Sequence, residues 1–210
     1  MKNENIITTL FLDIGRVLLT DGWNRESRKK AAEIFKLDHN DMEDRHHLNM
    51  DILELDIISM DEYLKRVVFY KKRDFTYKKF KAFMYTQSKS FPEMIKMVVQ
   101  LKKKYTLKVA VVSNESRALT EYRIKKFRLY KFVDFFISSC FVHLRKPDTA
   151  IFKMALDTAQ TPAKNIVYIE DQPMFTRIAE GFGIKSICHT DCKSTIAKLK
   201  SFGLVIGHNR

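Results

Sequence analysis

The sequence predicts an α/β protein: a doubly wound parallel sheet carrying an inserted small α-helical unit. Three observations predict it. Short, near-continuous apolar runs recur along the chain, as expected of strands buried on both faces. Helical patterns lie between them, and a polar or charged residue follows closely on most runs. Alternation of this kind builds a parallel sheet with right-handed crossovers, wound as in Rossmann-like folds.

The first run, "IITTLFL", leads directly into Asp13. The segment from Asp21 to Lys89 is rich in helix formers and nearly free of glycine and proline. It reads as a helical cap inserted into the core, dividing the chain into core residues 1–20 and 90–210 and cap residues 21–89. "PEMIKMVVQLKKKY" opens with Pro92, which suits a first helical turn. Its expected buried stripe is Ile95, Val98, Val99 and the stem of Lys102. The second strand, "LKVAVV" (107–112), ends in Ser113-Asn114, and the third, "FVDFFISS" (132–139), precedes Arg145-Lys146. "KPDTAIFKMALDTA" has Pro147 at its opening and spaces Ile151, Phe152, Ala155 and Leu156 as a helix face. The fourth strand, "NIVYI" (165–169), ends in Glu170-Asp171. The helix in "DQPMFTRIAEGFG" closes at Gly181 or Gly183, residues that suit a helix C-terminus. A fifth strand, "KSICH", follows at 185–189.

The 210 residues suffice to bury a proper core, and 45 % hydrophobic and 12 % aromatic residues are an ordinary globular composition. No apolar stretch reaches the roughly 18 residues of a membrane span, so no membrane partner is expected. The start, "MKNENIITTLFLD", has no signal-peptide cleavage pattern, and three cysteines form no disulfide framework. Both point to a cytoplasmic protein. The net charge of +13 comes from 38 basic against 25 acidic residues. It is lysine-dominated, spread over most of the chain and accompanied by no nucleic-acid motif, so it reads as a solvated basic surface rather than a specific nucleic-acid footprint.

In open α/β sheets ligands bind beyond the carboxyl ends of the strands. Here those ends carry an acid, a hydroxyl with an amide, a lysine and an acid pair. With these residues in this order, nearly the whole chain resembles the haloacid dehalogenase superfamily of hydrolases. Asp13 matches its nucleophile, Ser113 its second-motif hydroxyl, Lys146 its third-motif lysine and Asp171 its metal-binding acid. "LELDIISMDEYL" (53–64) resembles the helical caps of subfamily I members, and "VAVVSNES" and "RKPDTAIFKMAL" resemble that group's wording. The group includes the bacterial glucose-1-phosphate phosphatase, which shares a glycine two residues after the nucleophile. The resemblance implies a Mg²⁺-dependent phosphatase acting on a small phosphorylated metabolite.

The chemistry of these residue types suits that role. A carboxylate attacking phosphorus forms an aspartyl-phosphate and splits one hard displacement into two easier ones. Mg²⁺ takes hard oxygen ligands, which Asp13, the backbone carbonyl of Gly15 and Asp171 would supply, with Glu170 in support. Lys146 and Ser113 would stabilise phosphoryl charge, with Asn114, Gly15 and Arg16 beside the phosphate. Arg16 either touches that phosphate or packs the loop. Two residues depart from the family pattern. Gly15 stands where most family phosphatases place a second acid that protonates the leaving group, and Phe175 stands where a metal-supporting Asp or Asn is common. Without an acid at residue 15, substrates whose leaving group needs little protonation should be favoured. The alternative is a catalytically impaired binding or regulatory protein built on the same scaffold. Dehalogenation shares the nucleophile but needs no Mg²⁺, and the retained Asp171 speaks against it.

Other features carry less. His46 and His47 point about 100° apart on a helix and read as cap surface. "CHTDC" (188–192) lacks a second ligand pair at zinc spacing and reads as strand end plus turn. Trp23 either lines the substrate entrance or anchors the cap. Aromatic and basic residues interleave in "EYLKRVVFYKKRDF" and "TYKKFKAFMYTQ", as a cap core with solvated lysines would.

Overall fold

A computed structural model describes residues 6–206. Residues 1–5, where the N-terminal reading above begins, lie outside them. In chain order the elements are β1 (Thr9–Leu12), α1 (Arg25–Phe35), α2 (His39–Glu54), α3 (Met60–Val67), α4 (Tyr77–Thr86), α5 (Pro92–Tyr105), β2 (Lys108–Ser113), α6 (Arg117–Lys126), β3 (Phe135–Ser138), α7 (Ser139–Val142), α8 (Thr149–Ala159), β4 (Ile166–Glu170), α9 (Pro173–Gly181), β5 (Lys185–Cys188) and α10 (Cys192–Ser201). The five strands form one parallel sheet in the order β3-β2-β1-β4-β5. β1 therefore lies at the centre, where the winding reverses and a ligand crevice forms.

Alternate residues of the strands feed two cores. Leu10, Leu12, Val109, Val111, Val167 and Ile169 face α5 and α10, whereas Phe11, Ala110, Val112 and Tyr168 face α8 and α9. Continuous apolar runs follow from burial on both faces. The buried stripe of α5 is Met94, Met97, Val98 and Leu101, the full i, i+3, i+4, i+7 pattern; of the expected residues it keeps Val98, with Ile95 half-buried beside it. Val99 is 42 % exposed, and the Lys102 ammonium leaves the core to bond Phe132 O and Asp134. In α8 Ile151, Phe152 and Ala155 are buried as expected, Leu156 packs half-buried against the same core and Ala159 extends the face. Pro147 precedes that helix, and Asp148 caps it by accepting from Ala150 N.

The insertion α1–α4 has its own core of Ala31, Phe35, Leu53, Tyr63, Leu64, Val67, Phe80 and Met84. Asn24, Asp38, Ser59 and Thr76 each cap one of its helices by accepting first-turn backbone N–H groups. Leu119 of α6 joins this cluster, so a helix that follows β2 contributes to it. Where the chain leaves and re-enters the sheet region, its two segments bond to each other. Thr20 N donates to Lys89 O (2.8 Å), Lys89 N to Thr20 Oγ1 (2.9 Å) and Phe91 N to Leu18 O (2.9 Å). No helix among the described residues is long and apolar enough to cross a membrane.

Candidate active site

Sheet register puts the polar strand ends side by side. Leu12 pairs with Val111 on one side and Ile169 on the other, so Asp13, Ser113 and Glu170 emerge together from adjacent strands. Asp13 N donates to Ile169 O at 3.0 Å, carrying the pairing one residue further. Asp13 is 7 % exposed and Lys146 2 %.

Lys146 is the hub. Its ammonium donates to Asp13 Oδ1 at 2.9 Å, Glu170 Oε2 at 2.5 Å and Tyr168 Oη at 3.1 Å. Tyr168 in turn donates to Glu170. The Phe175 ring lies against the same ammonium, its centroid 4.9 Å from Nζ. Burial works against the lysine charge, but Asp13, Tyr168 and Glu170 outweigh it and hold its pKa well above the ordinary value. Burial raises the Asp13 pKa, opposed by Lys146. Burial likewise raises that of Asp171.

Asp13, Glu170 and Asp171 offer carboxylate oxygens that all lie within 4.8 Å of one another. This hard-oxygen set fits a small divalent cation such as Mg²⁺. Glu170 already serves Lys146, Tyr168 and the backbone N–H of Gln172 (3.0 Å), so Asp13 and Asp171 are the freer pair. Ser113 is 1 % exposed, and its hydroxyl bears on Asp13. Asn114 is engaged in structure: it accepts from Lys146 N and donates to Lys146 O, both at 2.8 Å, pinning the lysine's backbone to the end of β2. Arg16 adopts a left-handed backbone (φ 55°), and its Nε lies 3.5 Å from Asp171 Oδ2 at the rim.

A cleft of about 280 Å³ opens above Asp13 and Gly15, walled by Trp23, Arg25, Arg28, His46, His47, Glu54 and Glu115. His46 corrects the surface reading: it is buried, while His47 is exposed. Tyr63 Oη accepts from Trp23 Nε1 (2.8 Å) and meets His46 Nδ1 at 2.8 Å, which anchors Trp23 to the insertion. Burial, then the nearby Arg28 charge, pushes the His46 pKa down to about 3, so it is neutral at ordinary pH. Arg28 forms a buried ion pair with Glu43. The "CHTDC" stretch spans the end of β5 and the start of α10.

Several site residues carried no usable sequence signal. Arg123, 2 % exposed, pairs with Glu115 and also donates to Ser88 Oγ (3.1 Å) and Thr20 O (3.2 Å). Burial pushes the Glu115 pKa up to about 7 against that arginine. Arg145 clamps Glu54 through two bonds (3.0 and 2.8 Å) and Asp51 (2.7 Å), tying α2 to the Lys146 loop. Tyr168 was legible in principle, because strand alternation puts it on the same face as Glu170.

Known structures share this fold. An enzyme of the haloacid dehalogenase family from Bacteroides thetaiotaomicron, solved with magnesium and inorganic phosphate, is 19 % identical, covers 88 % of this chain and 94 % of its own, and superposes with a TM-score of 0.74. A predicted hydrolase of the same family from Porphyromonas gingivalis is also 19 % identical, with 93 % and 98 % coverage and a TM-score of 0.71. A dehalogenase is 18 % identical, with 89 % and 85 % coverage and a TM-score of 0.63. No curated protein matches the sequence. The sequence profile of haloacid dehalogenase-like hydrolases matches residues 27–189, most of the chain, and the protein belongs to that family.

Proposed function

We propose that the protein is a Mg²⁺-dependent phosphatase acting on a small phosphorylated metabolite through an aspartyl-phosphate on Asp13. The observation that carries this reading is the buried Asp13–Lys146–Glu170 cluster, with Asp171 completing a carboxylate set beneath an open cleft. The Bacteroides enzyme solved with magnesium and phosphate supports it by analogy of fold. Lys146 holds Asp13 Oδ1, leaving Oδ2 on the cleft side to attack phosphorus. Ser113 and Lys146 steady the phosphoryl oxygens, and Arg16 approaches them from the rim. Asn114 acts through the backbone of Lys146. Mg²⁺ would be held by Asp13, Asp171 and the Gly15 carbonyl, with Glu170 behind them. When bound it would neutralise phosphoryl charge.

In this reading residues 1–20 and 90–210 form the core, and 21–89 form the cap whose cleft residues select the substrate. Neither a specific nucleic acid nor a membrane is a partner. The test is a panel of phosphorylated metabolites assayed with and without Mg²⁺, alongside calorimetric Mg²⁺ titration of the native protein and Asp171→Ala. We expect Mg²⁺-dependent phosphate release and weakened Mg²⁺ binding in the variant. Mg²⁺ bound with no ester turned over would instead identify a binding scaffold, and unchanged affinity in the variant would remove Asp171 from the metal site.

A further inference from the structure

The site contains a second carboxylate in the space left by Gly15. A Cβ added to Gly15 would lie 2.7 Å from Asp21 Oδ1 and 3.5 Å from Asp13 Oδ2. The two carboxylates thus flank the volume that a side chain at residue 15 would fill, and Asp21 takes part of it. Asp21 arrives there because its neighbours on both sides are fixed. Thr20 is tied to Gln87 O (2.8 Å), to Lys89 and to Arg123. Gly22 gives passage to the Arg123 guanidinium, since a Cβ there would come within 2.1 Å of Nη2.

The other cleft acids are occupied. Asp13 is paired with Lys146, Glu54 with Arg145 and Glu115 with Arg123. Asp21 has no ion-pair partner among the described residues, and it stands outside the mutually close Asp13, Glu170 and Asp171 set. It is therefore placed for proton transfer rather than for charge pairing or for that metal site.

We infer that Asp21 is the acid–base residue of this site, an inference that rests on the phosphatase reading above. As the bond from Asp13 Oδ2 to phosphorus forms and the ester P–O bond breaks, Asp21 gives its proton to the departing oxygen. In the second step the Asp21 carboxylate takes a proton from water as the water oxygen bonds to phosphorus and the Asp13–phosphorus bond breaks. Inorganic phosphate is released and both carboxyls return to their starting states. Gly15 then leaves room for the Asp21 carboxylate, which a side chain introduced at residue 15 would push aside.

The test compares the native protein with Asp21→Asn and Gly15→Ala on 4-nitrophenyl phosphate and on a simple alkyl phosphate, in Mg²⁺. General acid help is typically worth about 10²–10⁴ in rate and matters most for a basic leaving group. Asp21→Asn should lose at least about 10²-fold on the alkyl ester and at least about tenfold less than that on the nitrophenyl ester. Gly15→Ala, which displaces the Asp21 carboxylate without removing it, should show the same selective loss and decides the matter should Asp21→Asn not fold. Equal losses on both esters, or no loss on either, would overturn the role of Asp21 while leaving the phosphatase reading intact. A native protein that cleaves neither ester would overturn the phosphatase reading, and this inference with it.

Discussion

The floor and the wall of the cleft are built by different physics. On the floor, backbone register sets the positions: Asp13, Ser113 and Glu170 are neighbours because β1, β2 and β4 pair as they do. On the wall, side chains find one another across helices. Arg28 meets Glu43 and Tyr63 meets His46 and Trp23, at separations of 15, 17 and 40 residues. The floor concentrates charge around one ammonium. The wall spends its polar groups on holding α1, α2 and α3 together. Floor substitutions should therefore act on chemistry, whereas most wall substitutions should act first on stability.

The sharpest contrast is expected from Asp13→Asn. If Asp13 is the nucleophile proposed above, removing it with its partners left in place should cut turnover by more than about 10³-fold. Lys146 keeps Glu170 and Tyr168 as partners, so thermal unfolding should stay near native. A large drop in melting temperature would show that the floor is structural as well. Arg28→Met is the opposite case. It leaves the buried Glu43 without its partner, and breaking such a pair costs about 3–5 kcal/mol. Urea titration should show that loss, and an unchanged midpoint would mean that Glu43 finds water or another donor.

A smaller effect separates the regions by pH. His46 is held neutral down to about 3 against an ordinary 6.5. On acidification the unfolded chain takes up a proton below 6.5 that the folded chain refuses, so stability falls as pH drops from 6.5 toward 3. By pH 5 the loss from this residue is about 2 kcal/mol. Denaturation of native protein and His46→Gln at pH 7 and 5 should show their stability gap shifting by that amount in favour of the variant. An equal acid loss in both would place the titration elsewhere. Smallest of all, Trp23→Phe removes the indole N–H donated to Tyr63 and should cost about 1 kcal/mol. Its effect on KM should exceed its effect on kcat, and a dominant kcat effect would bring the wall into the chemistry.

The same difference decides what could be read from the sequence. Strand ends announce themselves, because a run such as "LFL" or "VYI" stops at a polar residue. The sheet, its order of elements and the carboxylates of the floor followed from that. The α2 helix offers no comparable cue. Its buried positions include Glu43, His46 and Asn49, so an apolar-stripe rule turns the helix the wrong way and leaves His46 on the surface. Asp21 and Arg123 were illegible for a related reason. Arg123 is defined by its approach to Gly22 and to Thr20 O, 103 residues from the latter, and Asp21 by the space that nearby Gly15 leaves open, and neither leaves a periodic trace. On α5 the cue was present but degenerate, since apolar residues occupy more than one face and only packing against β1 and β2 selects Met94, Met97, Val98 and Leu101.

The bonds joining Thr20 to Lys89 and Leu18 to Phe91 have a consequence for exchange of parts. Because the outgoing and returning segments meet at 2.8 Å, the sheet sees the whole helical insertion as a single closed loop. Closing such a loop costs free energy that grows only with the logarithm of its length. A shorter or longer insertion grafted at this seam should therefore leave the register of β1 with β2 and β4 unaltered, provided that it replaces the contacts made with Leu119 and Arg145. Under the proposed function, recognition could be rewritten in one region of the gene while Asp13 and Glu170 stay where the sheet puts them.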